Sequence, residues 1–513
     1  MMYVRRAGNG QGAPRKMDSP TQSTEVSTHQ PPMLFAFADA LRRRAMRSAR
    51  LRIVIETVER RDPSVQSFSL ILFVILALAF SIAPMLNSIT SRMNKDYDLW
   101  QRTGWIVSHG QSIYPTDPNR LFPFMYPPPA AIMLAPIAEL PRPLFVASLL
   151  ILQTASWAFC IYASVRLSTG RFQGVHPAIY LAPSLMVIPF VSDMYLLGQP
   201  AVLLLALSLG SFLALRRSMP LVSGFLLATA AAIKAYPVIL LGYFVYRKQT
   251  RATAAAIAGI AFYLTVFPLT YRSTDQVGQD LSLWARGMLF KYDDRSIGQR
   301  PDRAFSYKNQ SLQATVHRLS RPVLADGEND RSWYVNLANL DFRRSNYLMM
   351  ASIIAIGCFT MWAWWGGGWP GRSREDAINS EQSMSLMLTV MLAPLSFNYS
   401  YVWLIFPLTF LLAVALDDRR PARCRASAAW TVIATVALLA CTLLNTRVAA
   451  AYGNIFFAGF AAFVGIGFWE RRGTFMRSEV EHESAERKRH TLSIARPMGS
   501  HTHTTSRPNQ PQA

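Results

Sequence analysis

The sequence is organised by long uncharged apolar runs separated by short polar connectors, and several runs approach the roughly 20 residues that cross a bilayer as a helix. No water inside the hydrocarbon layer can satisfy a backbone N–H or C=O, so such runs are confined to helix. Composition agrees. Of 513 residues, 51% are hydrophobic and only 16% charged, against about a quarter charged in soluble domains. The expected fold is therefore an all-α polytopic membrane protein.

The apolar runs fall near Phe68–Leu86, Pro143–Val165, Ala178–Val191, Ala201–Leu215, Leu221–Ile233, Val238–Tyr246, Ala254–Thr270, Tyr347–Trp365, Met384–Leu395, Tyr401–Leu416, Ala428–Leu444 and Ile455–Trp469. Counted by length, they predict about a dozen crossings, several of them short. They divide the chain into a basic N-terminus over 1–66, a transmembrane domain over 67–469 with long loops at 87–142 and 271–346, and a polar tail over 470–513 expected to be disordered. Within the N-terminus, Leu41–Glu59 reads either as a basic amphipathic helix on the membrane surface or as a solvated arm. The first apolar run begins near Phe68, too far along for a cleavable secretory signal, so none is expected.

The net charge of +22 sits largely at the ends of apolar runs. That placement follows the positive-inside bias of membrane proteins and argues against nucleic-acid binding. With the arginine-rich N-terminus inside, the inner connectors are Arg166–His176, Arg216–Pro220, Arg247–Arg251, Gly366–Gln382, Asp417–Arg425 and the tail. The outer ones are Asn87–Arg142, Ser192–Pro200, Lys234–Pro237, Tyr271–Asn346, Ser396–Ser400 and Asn445–Asn454, and the short members of this set are nearly free of arginine. Both termini are then cytoplasmic. The stretch 221–246 has basic residues on both flanks, so a hairpin broken at Lys234-Ala-Tyr-Pro237 keeps both inside, and one long span kinked by Pro237 is the alternative. Cys160, Cys358, Cys424 and Cys441 have no CxxC spacing, so neither a disulfide framework nor a metal site is expected.

On this topology five polar clusters share the outer face: Asp96-Tyr97-Asp98, Tyr126-Pro127-Pro128-Pro129, Gly198-Gln199, Lys234, and Asn309-Gln310-Ser311-Leu312 with Arg318 after it. Taken singly, each has an ordinary reading as a solvated loop residue, a helix cap or a snorkelling lysine. Lys234 is the exception, because a charge within an apolar stretch is costly and marks function by default.

Asp96-Tyr97-Asp98-Leu99-Trp100 followed by Ser108-His109-Gly110 and Tyr114 resembles the first-loop signature of glycosyltransferase family 87, the polyprenyl-phosphate-sugar-dependent transferases of the GT-C membrane fold. Phe124-Met125-Tyr126-Pro127-Pro128, Gly198-Gln199, the Ala-Ala-Ile-Lys234-Ala-Tyr-Pro237 run and Asn309-Gln310-Ser311-Leu312 match further family motifs in order, so the resemblance spans roughly Asp96 to Pro407. One segment departs from the family. After Pro394-Leu395-Ser396 the family commonly has an aromatic residue and paired histidines, where this chain reads Phe397-Asn398-Tyr399-Ser400-Tyr401, which removes a possible proton shuttle.

The resemblance implies transfer of a sugar, mannose or arabinofuranose being the family's donors, from a polyprenyl-phosphate carrier to a lipid or cell-envelope glycan on the outer face of a bacterial plasma membrane. The family's spacing from its acid to the loop glycine matches Asp96 to Gly110, so the resemblance implies Asp96 rather than Asp98 as the catalytic base. Lys234 and Arg318, with Arg102 as a weaker candidate, are expected to neutralise the leaving phosphate. Gln199, Asn309 and Gln310 are expected to bind sugar hydroxyls, with Asp98 and Tyr126 also in the substrate site. No metal and no cofactor is implied beyond the lipid-linked donor. A multi-span transporter or lipid flippase would share the spans and the buried lysine, but no second copy of the Asp-Tyr-Asp or Lys-Ala-Tyr-Pro segments is present to suggest an inverted repeat.

Overall fold

A computed structural model describes residues 63–90, 92–116, 121–300, 303–326, 333–365 and 373–470. The possible surface helix at Leu41–Glu59 and the tail beyond Glu470 lie outside the described residues. Regular structure among the described residues is helical, and β pairing is limited to isolated bridges such as Asn309 with Phe397.

The first helix, α1 (Pro63–Ile89), has 27 residues and therefore spans about 40 Å. Next come α2 (Asp96–Ser108) and the buried apolar α3 (Pro128–Ala138) in the first long loop, then the long α4 (Arg142–Thr169). Helices α5 (Ala178–Met186) and α6 (Ile188–Leu197) are bent by 54° relative to each other, where Pro189 starts the second. They lead to α7 (Ala201–Arg216), α8 (Pro220–Ile233), α9 (Leu241–Tyr246) and α10 (Thr250–Ala261). The second long loop holds α11 (Thr274–Trp284) and α12 (Leu312–Ser320). The remaining helices are α13 (Phe342–Trp365), α14 (Arg374–Leu392), α15 (Ile405–Ala415), α16 (Ala422–Leu444), the short α17 (Thr446–Ala451) and α18 (Asn454–Glu470).

Six of these segments are long and apolar enough to cross a membrane, and the bent α5–α6 pair makes a seventh. Of the remaining predicted runs, four form the shorter apolar helices α7, α8, 236–246 and α18, and Met384–Leu395 falls largely in the second half of α14. The all-helical membrane architecture read from the sequence is thus the observed one; six or seven spans meet the length criterion, against the dozen crossings expected.

The hairpin at 221–246 is a hairpin in the structure. Arg216, just before α8, donates to Asn379 Oδ1, and Arg247, just after α9, pairs with Glu381 at 2.5 Å. Both partners lie near the start of α14, so the chain enters and leaves this segment at the same end of the bundle. Pro237 lacks the amide donor that would continue the helix, Lys234 leaves α8 with extended φ/ψ of −152° and 128°, and a 3-10 turn over Tyr236–Leu240 sends the chain back. The helix that follows the hairpin, α10, packs on α8 through small residues. A Cβ on Gly224 of α8 would meet the Ala252 carbonyl of α10 at 2.3 Å, and one on Gly259 of α10 would meet Ala228 Cβ at 2.6 Å. Close backbone approach through small residues is the usual way for membrane helices to associate.

The other connectors predicted as inner meet at this end too. Asn379 donates to the Leu167 carbonyl at the end of α4, Asp376 binds Arg420 at 2.8 Å between α15 and α16, and Ser380 donates to Glu470 at the end of α18. The N-terminal half of α14 is therefore a buried polar strip tying the basic connectors together. The five polar clusters predicted for the outer face gather at the opposite end.

Candidate active site

Asp96 opens α2, and the residue before it is strained: Lys95 has φ 49° and ψ −123°. A non-glycine residue in such a conformation is held there by its surroundings and is characteristic of functional segments. The helix sits against the turn after α6. Trp100 Nε1 donates to the Gly198 carbonyl at 2.9 Å, and Tyr97 OH donates to the Tyr195 carbonyl at 2.8 Å. Gly198 ends α6 in the left-handed region at φ 77°, and a Cβ there would strike the Tyr97 ring at 2.9 Å, so both backbone and space demand glycine.

This turn delivers Gln199. Its amide donates to Asp96 Oδ2, and its Oε1 accepts from Tyr126 OH at 2.9 Å. Acid, amide and phenol thus form one chain across α2, the start of α7 and the loop before α3. Lys234, at the hairpin tip, places Nζ 5.4 Å, 5.6 Å and 5.5 Å from the ring centres of Tyr126, Tyr236 and Tyr399. Three aromatic faces around one ammonium hold it by cation–π attraction in a place where water is scarce. Asp96 and Lys234 line the same cavity, whose volume is about 150 Å³. Its remaining wall is largely apolar, with Leu99, Met125, Trp284, Met288 and Phe397 contributing.

Arg300 also lines this cavity. Burial pushes the Asp96 carboxyl above its ordinary range, while the charges of Arg300 and then Lys234, the Gln199 hydrogen bond and Lys95 pull it down. The group is a carboxylate partly withdrawn from water and held beside two cations, which suits an acceptor of protons.

The two acids of the Asp-Tyr-Asp motif part company here. Asp98 is taken by a forked contact from Arg142, Nε to Oδ1 at 2.8 Å and Nη2 to Oδ2 at 2.9 Å, and also accepts the Asn94 amide at 2.7 Å. Its role is to anchor α2 to α4, and only Asp96 reaches the cavity. Arg102 is exposed on α2 and does not line the cavity.

Three other expected substrate contacts are turned to structural use. Arg318 is fully buried and donates to five main-chain carbonyls, those of Phe305, Ser306, Asn309, Ala450 and Ala451, at 2.6–3.3 Å. Burial pulls its guanidinium down to about 9, still protonated at neutral pH. With its donors committed to carbonyls, it pins the second long loop to α17. Asn309 donates to the carbonyls of Ala304 and Pro394 and accepts from the amides of Ser311 and Ser396. Gln310 donates to the carbonyls of Tyr307 and Ala450 and accepts from the Phe456 amide. These residues splice the loop to the segment after α14, and that splice carries Phe397 and Tyr399 into the cavity wall. The departure from the family pattern therefore falls inside the site.

Sequence reading missed Arg300, which is one of several arginines in a long polar loop with no spacing to single it out. It also missed Tyr236 and Tyr399 as cavity residues. Tyr236 sits in the Lys-Ala-Tyr-Pro run, two residues from Lys234, and that proximity was the available signal.

Among the described residues, no group of three or more His, Cys, Asp or Glu side chains could hold a metal ion. The model of a family described as glycosyltransferase family 87 matches residues 124–394. The matched segment contains Tyr126, Gln199, Lys234, Arg300 and the Asn309–Arg318 region, and Asp96 lies upstream of it. No curated protein and no solved structure matches the chain.

Proposed function

The chain belongs to glycosyltransferase family 87, whose model covers more than half of it, and from that premise we propose that this membrane glycosyltransferase moves a sugar from a polyprenyl-phosphate carrier to a hydroxyl acceptor at the extracytoplasmic end of its helical bundle. The observation that carries the reading is the cavity in which one carboxylate, Asp96, faces the ammonium of Lys234 across an otherwise largely apolar wall.

The chemistry follows from that pairing. The acceptor hydroxyl gives its proton to Asp96 as its oxygen bonds to the anomeric carbon of the sugar. The bond from that carbon to the phosphate oxygen breaks, and its electron pair leaves with the lipid phosphate. The phosphate enters as a diester with one negative charge and leaves as a monoester carrying up to two. Lys234 lies where the added charge develops, so it favours the transition state over the bound donor. Gln199 fixes the carboxylate and ties it to Tyr126, so that proton transfer meets a preset geometry. The apolar wall suits the first isoprene units of the carrier.

Mannose and arabinofuranose remain the expected sugars, and a lipid or cell-envelope glycan the expected acceptor. Phe397, Asn398 and Tyr399 replace the family's aromatic-and-histidine stretch beside the site, so specificity is expected to differ from that of relatives with histidines there. We place the reaction at a bacterial plasma membrane, with both termini cytoplasmic. Family membership favours this enzyme over the transporter with which it shares many spans. The test is transfer by the purified full chain offered labelled polyprenyl-phosphate sugars and, separately, nucleotide sugars. Product is expected from a lipid-phosphate donor, and product from nucleotide sugars alone would overturn the proposal.

A further inference from the structure

Two residues of the cavity wall each bury a polar atom that has no hydrogen-bond partner within the protein: Arg300 its Nε and Tyr236 its hydroxyl. Burying a donor unpaired is costly, and more so when it is charged. Such atoms on residues of one cavity wall point to a ligand that accepts from them. The charge balance points the same way. Asp96 contributes one negative charge to the cavity, and Lys234 and Arg300 one positive charge each, which leaves one positive charge in excess beside an apolar wall. Arg300 is held where it is by the loop around it, in which Tyr292 bridges to Ile297 and the Gly298 amide donates to the Lys291 carbonyl at 2.8 Å.

We propose that Arg300 and Tyr236 join Lys234 as the anion-binding end of this cavity, and that the anion is a phosphate carried on a lipid chain. A guanidinium offers a fork that matches two phosphate oxygens, a tyrosine hydroxyl can donate to a third, and the lysine acts as a point charge. One negative charge on the arriving phosphodiester cancels the excess. The second, developed on departure, is met by Arg300 as well as Lys234. The apolar wall of Met288, Trp284 and Leu99 then receives the chain next to the phosphate. This assignment deepens the donor reading above and rests on it for the identity of the lipid, but the phosphate site itself can be tested without turnover.

The experiment is equilibrium binding to the purified full chain of a short-chain isoprenyl monophosphate, the matching isoprenol, and mixed micelles containing phosphatidic acid. Wild type is expected to bind the isoprenyl phosphate and to show little preference for phosphatidic acid. Arg300→Gln should weaken isoprenyl phosphate binding roughly tenfold or more, as expected for a lost hydrogen bond between charged groups, and leave isoprenol binding unchanged. Arg300→Lys should recover part of the loss, and Tyr236→Phe should produce a smaller one. Preference for phosphatidic acid would place a phospholipid headgroup, not the carrier, on these residues. Wild-type phosphate affinity in Arg300→Gln, with an unchanged thermal midpoint, would overturn the assignment.

A second readout separates a phosphate contact from mere support of the fold. The groups facing Asp96 are Arg300, Lys234, Lys95, Gln199, Tyr126 and Tyr399. Arg300 is the first of the charges that hold the carboxyl down. Its removal should move the acid limb of the transfer rate to higher pH, and an unmoved limb would count against its position beside the acid. If Arg300→Gln loses phosphate binding while wild type transfers only from nucleotide sugars, the anion site survives and the donor reading fails. If transfer from the lipid phosphate proceeds with Arg300→Gln binding normally, the reverse holds.

Discussion

At the scale of single residues, the site is an argument about one carboxylate. Asp98 and Asp96 are two positions apart, yet the first is consumed by the Arg142 fork and the second faces the cavity, so only the second is free to take a proton. The base must be ionised to act, and burial raises its pKa above 3.8. Activity is therefore expected to be present above that raised value and lost as pH falls through it, giving an acid limb above the ordinary carboxylate range in a rate–pH profile. Gln199→Leu removes one of the interactions that lower the pKa, so its limb should lie at higher pH than wild type, and a limb at lower pH would contradict the geometry. The motif residues were legible in the sequence because chemistry confines them to few types. Their partners were not. Nothing in a linear reading shows that Arg318 will spend its donors on main-chain carbonyls, or that Arg300, in the same loop, will keep one unpaired.

At the scale of elements, the hairpin of α8 and the 236–246 segment sets the depth of Lys234. The basic flanks at Arg216 and Arg247, and Pro237 between them, made this turn readable from sequence, and α14 confirms it by binding both flanks. Glu381 is nearly buried, with 4% side-chain exposure, against Arg247. Arg247→Met removes the guanidinium from beside that buried carboxylate and should cost about 3–5 kcal/mol, seen as a lower thermal midpoint in detergent, and the double variant with Glu381→Leu should recover much of it. Gly224→Val crowds α8 against α10, where overpacking costs about 1–3 kcal/mol, and it should lower transfer along with stability because Lys234 rides on the same helix. What the sequence did not yield at this scale was span count. Several apolar runs are too short to be told from buried helices by hydropathy, and α7 and α18 are two of them.

At the scale of the whole molecule, one end of the bundle is basic and braced by α14, and the other carries the cavity. Ser218→Cys and Lys248→Cys, placed in a protein whose exposed Cys358 has been replaced, should both react with a membrane-impermeant maleimide from the cytoplasmic side. Labelling from opposite sides would restore the single kinked span and move Lys234 away from the acid. The positive-inside pattern could foresee this polarity because it depends only on where arginines fall. It could not foresee that the long loop over 271–346 folds back to close the cavity, since that closure depends on contacts between residues distant in sequence, such as Asn309 with Pro394. The most direct test remains the turnover of purified Asp96→Asn protein on a polyprenyl-phosphate sugar, alongside its affinity for an isoprenyl phosphate. A fall in transfer of about 10²–10⁴, the usual worth of a general base, with phosphate binding retained is the expected result, and undiminished transfer would contradict the assignment of Asp96 as the base.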